Sequence, residues 1–196
     1  MSFNDLFSYT IVLNSRSPRR KQLLEQMGFM VRTVKTQTSE TYPADLTMEA
    51  IPVFLAKKKG QAYKEELLEK EILLCSDTMV FLHNKVLGKP KDKQEAKTML
   101  QSLSNNKHSV ISGCYIRKGE KERLFYEKTE VYFKPLSTST IDYYIDKYTP
   151  LDKAGAYGIQ EWIGMVGVEK IEGSFYNVMG LPTIALFDNL LELISL

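Results

Sequence analysis

The sequence predicts an α/β protein built on one mixed β-sheet. Segments rich in β-branched and aliphatic residues alternate with segments whose apolar residues recur at helical spacing, which is typical of a sheet covered by helices. Two predicted strands flank the charged turn 118–122, and this short connection favours an antiparallel pair. No repeat, low-complexity tract or linker divides the chain, so we expect residues 1–196 to form a single domain.

The composition is that of an ordinary globular protein. Hydrophobic residues make up 43% and charged residues 26%, and 26 basic side chains nearly balance 24 acidic ones. We therefore expect no nucleic-acid or membrane surface, and no segment has the ~18 apolar residues of a membrane span. Cys75 and Cys114 lie in apolar segments and are expected to be reduced core residues. The N-terminus lacks the features of a signal peptide, which favours a cytoplasmic location.

The first predicted strand and helix enclose a candidate phosphate site. Residues 9–13 form the strand, and Ser17 is suited to cap the helix that Pro18 begins and Gly28 ends. Arg19 and Arg20 occupy its first turn, where the helix dipole disfavours each cation by about 0.3–1 kcal/mol. A bound anion would reverse that penalty, because backbone N–H groups and both guanidinium groups would face it. Solvated surface arginines are the simpler alternative.

The next segment contains two further polar candidates. After a strand at residues 30–34, the polar loop 35–43 carries Glu40. A helix is expected from about Thr47 to Lys70, and Lys59 ends its lysine run at 57–59. On pattern alone, such a run is typical of a solvent-exposed helix face.

The central predicted strand, residues 71–80, leads into the strongest candidate for catalysis. Its apolar run is followed by Ser76, Asp77 and Thr78. An ionised carboxylate at the end of a core strand costs several kcal/mol unless a cation or a metal offsets it. The turn at 88–90 then presents Lys89 on a short tether. A polar strand end followed by a hairpin is the alternative without chemistry.

The C-terminal half predicts six more secondary-structure segments and two small-residue loops. Asp92 and Glu95 have the spacing of a helix capping box, and His83 and His108 are interpreted as surface and structural residues. The loops cover residues 152–160 and 173–182, and such loops let backbone approach a ligand closely. The other segments are the hairpin strands 108–116 and 124–133, a helix over 137–148, a strand over 166–171, and a helix over 183–193 packing through Ile184, Phe187, Leu190 and Leu191.

The polar candidates together match the chemistry of polyphosphate cleavage. Such a reaction needs cations to hold charged oxygens, and carboxylates to bind a divalent ion and to activate water. The chain offers two arginines, the lysines Lys59 and Lys89, and the carboxylates Glu40 and Asp77. It lacks the phosphate-loop motif of P-loop ATPases and a convincing Ser-His-Asp or Cys-His arrangement.

Five motifs, in order along nearly the whole chain, resemble those of the Maf family of nucleotide pyrophosphatases. The resemblance implies hydrolysis of nucleoside triphosphates to the monophosphate and pyrophosphate, with Mg²⁺ or Mn²⁺ as cofactor. It also implies an elongated mixed sheet flanked by helices, two lobes with a central cleft as in inosine triphosphate pyrophosphatases, and a homodimer. The motifs are Ser15-Arg16-Ser17-Pro18-Arg19-Arg20 with Leu23-Leu24, Ser76-Asp77-Thr78, Gly88-Lys89-Pro90, the loop 152–160 and the segment 177–182.

The resemblance also implies a role for each candidate. Asp77 is the catalytic proton acceptor and, with Glu40, a metal ligand. The loop 157–160, together with Arg19 and Thr78, resembles the dTTP/UTP branch rather than the 7-methyl-GTP branch, and the Gln160 amide can pair with a pyrimidine imide edge. The substrate-binding residues are Ser15, Arg19, Arg20, Lys59, Thr78, Lys89 and Gln160.

Three positions depart from the family pattern, and two other functions compete. Ser39-Glu40 stands where the family usually has two acidic residues, Glu161 stands where a glycine is expected, and the Leu103-Ser104 turn continues with Asn105 rather than glycine. The leading hypothesis is a house-cleaning dTTP/UTP pyrophosphatase. The alternatives are a pyrophosphatase for modified pyrimidine nucleotides and a regulatory binding protein that affects cell division or septum formation.

Overall fold

The computed structural model describes residues 3–195 and confirms the predicted mixed α/β architecture. The strands in this range form one seven-stranded sheet in the order β2-β1-β3-β5-β6-β7, with β4 paired to β3, and helices flank it. The strands are β1 Thr10–Asn14, β2 Met30–Val34, β3 Glu71–Leu82, β4 Lys85–Leu87, β5 Lys107–Lys118, β6 Lys121–Phe133 and β7 Val168–Glu172. The helices are α1 Phe3–Leu6, α2 Pro18–Gln26, α3 Ala50–Ala62, α4 Lys93–Leu103, α5 Thr138–Tyr148, α6 Trp162–Gly167, α7 Phe175–Met179 and α8 Thr183–Ser195.

The described residues divide into two compact units. Unit 1 contains the chain up to Asp77, the segment Ser112–Glu127 and the chain from Gly180 onward. Unit 2 contains Thr78–Ile111 and Lys128–Met179. The boundaries fall within β3, β5 and β6, so each of these strands contributes residues to both units. No described helix is long and apolar enough to cross a membrane.

Parallel strand pairing organises unit 1. β1 lies between β2 and β3, and its residues Ile11, Val12 and Leu13 are completely buried. The register pairs Leu13 with Leu74 at the end of the β1–β3 ladder. Because β1 and β3 run in the same direction, the polar residues that follow the paired segment on the two strands lie near one another. The cysteines are buried and free, as expected.

The helix α3 is shorter than predicted, because it ends at Ala62 rather than near Lys70. Tyr63 adopts an extended conformation, and its buried ring packs in the core of unit 1. Its hydroxyl accepts from Arg32 Nη2 at 3.3 Å and donates to Glu65 at 3.3 Å. The carboxylate of Glu71 accepts both from Arg32 and from the Leu68 backbone. These tertiary contacts outweigh the local helical spacing that continues to Leu67.

Two glycines let α3 lie directly against β5. A Cβ atom added to Gly60 would lie 2.3 Å from the ring of Tyr115. A Cβ atom added to Gly113 would lie 2.3 Å from the backbone of Pro52 and Val53. At Gly113 the strand therefore meets the helix backbone without an intervening side chain, and at Gly60 the helix packs directly on the Tyr115 ring; together these contacts fix the height of α3 above the sheet.

Unit 2 is built around the contact between α4 and α5. As predicted, Asp92 caps α4 by accepting from the Glu95 backbone at 2.8 Å. Two lysines of α4 pair with two aspartates of α5, both at 2.7 Å. These pairs are Lys93 with Asp146 and Lys97 with Asp142. The buried side chains below them include Leu100, Leu103, Ile141, Tyr144 and Ile163.

Three C-terminal predictions are wrong in detail. Residues 166 and 167 belong to α6, so the strand predicted from 166 begins at Val168, and the predicted loop 173–182 contains the short helix α7. The α8 helix also presents a different face to the core. Ile184 is 66% exposed, whereas Phe187 and Leu191 are only partly buried. The buried residues are Leu186, Leu190, Leu193 and Ile194, which follow helical spacing from a different starting point.

The two histidines occupy the environments predicted for them. His83 lies with Asn84 in the tight turn of the β3–β4 hairpin, and both have the positive φ that such turns require. His108 is 1% exposed, and its Nε2 lies 2.7 Å from the Tyr157 hydroxyl. Its ring stacks on Phe133, and its Nδ1 has no hydrogen-bond partner among the described residues. Burial lowers the pKa of His108 to about 4.

This histidine predicts a specific loss of stability in acid. The folded-state pKa of His108 is about 4 against an ordinary value of 6.5, so protonation favours the unfolded chain. The contribution is fully present above about pH 6.5 and falls towards about pH 4, by about 3 kcal/mol. Urea unfolding across this range should show that His108→Gln, although less stable at neutral pH, loses less stability on acidification than the wild type. His83→Gln is the matched control, and an equal acid slope in the wild type and His108→Gln would contradict the assignment.

Candidate active site

The carboxylate of Asp77 forms a short ion pair in the interior of β3, which continues to Leu82 instead of ending at this residue. Lys59 Nζ, near the C-terminal end of α3, lies 2.5 Å from Asp77 Oδ1. The side chains are 18% and 16% exposed, so both charges are largely removed from water. The predicted need of Asp77 for a cation is thus met, and the interpretation of Lys59 as a solvated surface lysine is wrong. Its neighbours also have partners, since Lys57 pairs with Glu122 and Lys58 binds the 39–41 loop.

Asn14 joins the strand end to the backbone of α3. It is 4% exposed, and its Nδ2 donates to Thr36 Oγ1 at 2.8 Å and to the Lys59 carbonyl at 3.1 Å. Its Oδ1 accepts from the Thr36 backbone at 3.0 Å. This side chain therefore ties β1, the segment after β2 and Lys59 together. No motif pointed to Asn14, although an amide at the end of an apolar strand was a usable signal.

Arg20 is a buried connector within unit 1. Its Nε donates to the Gly180 carbonyl at 2.8 Å, and its Nη1 donates to the Ser76 carbonyl at 2.7 Å and to Ser15 Oγ at 3.2 Å. Burial lowers the pKa of Arg20, while the charge of Asp77 raises it. The guanidinium group thus holds the residue before Asp77 and links it to the chain at Gly180. At least three of its hydrogen bonds go to the protein itself.

The loop before α2 is ordered as the capping pattern predicted. Ser17 Oγ accepts from the Arg20 backbone at 3.4 Å, and Ser15 Oγ accepts from the Ser17 backbone at 3.1 Å. Arg19 lies beside Arg20 in the first turn of α2, and its side chain is half-buried rather than enclosed. The two adjacent arginines are therefore in different environments, and Arg19 is the more accessible to an anion at this helix N-terminus.

Glu40 lies in an exposed loop that Lys58 holds in place. Lys58 Nζ donates to Ser39 Oγ at 2.8 Å and to the Thr41 carbonyl at 3.0 Å. Among residues 3–195, no group of three or more His, Cys, Asp or Glu side chains is arranged to hold a metal ion. Glu40 and Asp77 are hard oxygen donors, and Mg²⁺ in phosphate sites uses one or two carboxylates together with substrate phosphates. The donor set therefore fits an ion that binds together with a triphosphate.

Unit 2 holds the remaining predicted site residues, Thr78, Lys89 and Gln160. Thr78 directly follows Asp77 in β3 and is half-buried. Lys89 is exposed in the turn at 88–90, and the Gly88 carbonyl of this turn accepts from the Gly155 backbone at 3.0 Å. Gly155 has a φ of 69°. The lysine turn and the small-residue loop predicted at 152–160 are thus joined by a backbone hydrogen bond.

Gln160 has a buried acceptor without a donor. Its Oε1 is shielded from solvent and has no hydrogen-bond partner among the described residues. The residues before it, Tyr157 to Ile159, are buried. A buried amide oxygen without a donor costs about 1–3 kcal/mol, and a ligand N–H group would remove this cost. The atom is therefore suited to receive a ligand.

The fold defines an α/β protein with one mixed sheet flanked by helices. Comparison with known proteins gives the family. A family model described as Maf-like protein matches residues 10–193, and the chain belongs to the Maf family, as the motifs indicated.

Relatives that share one name match almost the whole chain. The dTTP/UTP pyrophosphatase of Cytophaga hutchinsonii is 51% identical over 190 residues, covering 97% of this chain and 87% of the relative. The protein of that name from Bacteroides thetaiotaomicron is 46% identical, covering 96% of this chain and 98% of the relative. That of Porphyromonas gingivalis is 43% identical, covering 95% and 96%.

The contrast between the adjacent arginines predicts different effects on stability. Arg20→Met removes the donors of two carbonyl groups, at Ser76 and Gly180, and should lower the free energy of unfolding by about 3–5 kcal/mol. Arg19→Met, the matched control one residue earlier, should lower it by less than about 1 kcal/mol, because its side chain is half-buried. Urea unfolding of both variants measures the difference, and equal losses would contradict the connector role of Arg20.

Proposed function

We propose that this protein hydrolyses dTTP and UTP to the nucleoside monophosphate and pyrophosphate, and so removes nucleotides from the cellular pool. The observation that carries the proposal is that relatives covering 95–97% of this chain bear the name dTTP/UTP pyrophosphatase. The Lys59–Asp77 pair supports it, as does the hydrogen bond from Arg20, in the first turn of α2, to the carbonyl of Ser76. No contact within residues 3–195 favours the regulatory binding alternative.

In the proposed mechanism, Asp77 accepts a proton from the attacking water. The water oxygen bonds to the α-phosphorus, the bond from this phosphorus to the bridging oxygen breaks, and pyrophosphate leaves with the bridging oxygen. Lys59 holds the Asp77 carboxylate in a defined orientation before substrate binds. Once the triphosphate is present, the ammonium group of Lys59 can also hold a phosphate oxygen, because lysine acts as a compact point charge.

The cations of the site have separate proposed tasks. Arg19 and the backbone N–H groups at the start of α2 bind phosphate oxygens, with Ser15 ordering the loop before them. Lys89 is a further phosphate contact, and its exposure leaves it able to reach an anion. Arg20 acts mainly through the protein, because its hydrogen bonds fix Ser76 and Gly180. It therefore determines where the Asp77 carboxylate lies.

A divalent cation, Mg²⁺ or Mn²⁺, is proposed to assist the reaction. Asp77 and Glu40 would hold it together with the triphosphate, and when bound it would neutralise charge on the phosphate oxygens. Lys58 would keep the Glu40 loop in place through Ser39 and Thr41. The homodimer and the cytoplasmic location remain predictions from the resemblance and from sequence features, and light scattering of the purified protein would test the first.

Gln160 is proposed to read the pyrimidine base. Thymine and uracil share an N3–H donor beside carbonyl acceptors, whereas cytosine has an acceptor at N3 and a donor amino group beside it. The buried Oε1 of Gln160 lacks a donor, and the N3–H group of thymine or uracil would supply it. Thr78 is proposed as a further contact to the substrate. In the same position cytosine would place its N3 lone pair against this oxygen, with its amino donor beside the oxygen rather than opposite it, which explains how one amide can select between bases.

The role of Asp77 predicts the effect of its removal. Asp77→Asn keeps the size of the side chain but loses the proton acceptor and the charge that pairs with Lys59. Pyrophosphate release from dTTP should fall by at least about 10²–10³-fold. The control Asp188→Asn changes an exposed carboxylate of α8 and should keep wild-type turnover. More than about a tenth of wild-type kcat in Asp77→Asn would rule out the assigned role.

The role of Gln160 predicts a change in base selection. Wild-type protein, assayed with Mg²⁺ or Mn²⁺ on dTTP, UTP, CTP, dCTP, dATP, GTP and 7-methyl-GTP, should prefer dTTP and UTP. Gln160→Ala should lower the ratio of kcat/KM for dTTP over dCTP by about tenfold or more, because the acceptor for N3–H is gone. Gln101→Ala, on the exposed face of α4, is the control.

Other outcomes of this panel are equally informative. A flat response of the wild type to all seven nucleotides would overturn the proposed substrates and turn attention to modified pyrimidine nucleotides. An unchanged ratio in Gln160→Ala would overturn the base contact alone.

A further inference from the structure

Glu161 uses its side chain to hold the turn that precedes it. The residue stands at the N-cap position of α6, but its side chain makes no capping hydrogen bond. Its Oε2 instead accepts from the Tyr144 hydroxyl of α5, and its Oε1 lies 3.1 Å from Lys153 Nζ. The side chain is 19% exposed. A partly buried carboxylate that bonds to other segments instead of capping its own helix indicates a structural role in those segments.

The Tyr144 hydroxyl connects Glu161 to the backbone of the turn. Its side chain is completely buried, and its hydroxyl accepts from the Gly158 N–H at 3.0 Å while donating to Glu161. The Gly158 carbonyl in turn accepts from the Glu161 N–H at 3.0 Å. Both backbone groups of Gly158 are thus fixed, and a Cβ atom at this position would lie 2.8 Å from the Glu161 carboxyl carbon. The turn 158–161 closes tightly around the carboxylate.

Lys153 supplies the countercharge at the other end of the loop. Its side chain is 9% exposed, and its Nζ lies 2.7 Å from Asp152 and 3.1 Å from Glu161. Asp152 is 59% exposed, so Glu161 is the more enclosed of the two carboxylates. The ion pair ties residue 153 to residue 161. Loop ends that are joined in this way leave the residues between them few alternative conformations.

We infer that Glu161, acting through Tyr144 and Lys153, is a positioning residue that holds Gln160 in the orientation that selects the base. The inference rests on the proposed reading of the base by Gln160. The Gln160 Oε1 has no donor among the described residues, so no hydrogen bond of its own fixes this oxygen. Its direction depends on the backbone of the turn 158–161. The clamp of Glu161, Tyr144 and Lys153 fixes that turn, and Glu161 itself is not required to touch the substrate.

Two substitutions separate the two arms of the clamp. Tyr144→Phe removes the hydroxyl that links Glu161 to Gly158 but keeps the ring in the core and the Glu161–Lys153 pair. Glu161→Gln keeps an acceptor for Tyr144 but removes the charge that faces Lys153. Tyr143→Phe is the matched control, because this neighbouring tyrosine is 46% exposed and its hydroxyl accepts a hydrogen bond from Lys147.

We expect Tyr144→Phe to lower the ratio of kcat/KM for dTTP over dCTP by about tenfold, with most of the change in KM for dTTP and little in kcat. Tyr143→Phe should leave the ratio and both constants unchanged. In a Gln160→Ala background, Tyr144→Phe should change the ratio by less than about twofold, because the amide that the clamp orients is absent. A merely structural role of Tyr144 would lower stability without this dependence on Gln160.

The outcomes distinguish the inference from the proposed function. If the wild type hydrolyses neither dTTP nor UTP, both fall. If Gln160→Ala loses base selection but Tyr144→Phe behaves like Tyr143→Phe, the inference alone is overturned. Should Glu161→Gln fail to fold, Tyr144→Phe still decides, because it leaves the countercharge of Lys153 in place. Additive effects of Tyr144→Phe and Gln160→Ala on the ratio would also overturn the inference.

Discussion

The charge of Asp77 is the constraint on which unit 1 depends. A carboxylate that is 16% exposed in the interior of a core strand costs several kcal/mol if it stays ionised without a partner. Lys59 supplies the partner, but only because α3 holds this lysine at the correct height and Asn14 fixes its backbone. Arg20 fixes Ser76, the residue before Asp77, through a hydrogen bond to its carbonyl. The polar residues around Asp77 thus act together to hold its carboxylate in a defined position.

Features that depend on neighbouring residues were predictable from the sequence. The start of α2 followed from Ser17 and Pro18, because a cap and a first-turn proline act within one turn. The cap of α4 at Asp92 followed from the same kind of local chemistry. Strands β1, β2 and β3 were evident from their apolar runs. The importance of Asp77 also followed, because a carboxylate directly after such a run is costly whatever the rest of the chain does.

Features that depend on distant residues were not predictable in this way. The helix α3 ends at Ala62 because Tyr63 packs into the core and contacts Arg32, which lies 31 residues earlier in the chain. The inward orientation of Arg20 depends on Gly180, which is 160 residues away. Ile184 is exposed because both faces of α8 carry apolar residues, so spacing alone does not select the buried one. The hydrogen-bond network around Glu161 depends on Tyr144, and no sequence motif predicted this contact.

The contact between α3 and β5 limits how sequence change can tune the ion pair. At Gly113 the strand meets the backbone of Pro52 and Val53, so the separation is determined by atomic radii rather than by adjustable rotamers. Core substitutions elsewhere can be absorbed by repacking, but a methyl group here has no space into which to move. The separation between the backbones that carry Lys59 and Asp77 is consequently fixed by this contact. Sequence change can replace the two side chains of the pair more easily than it can change that separation.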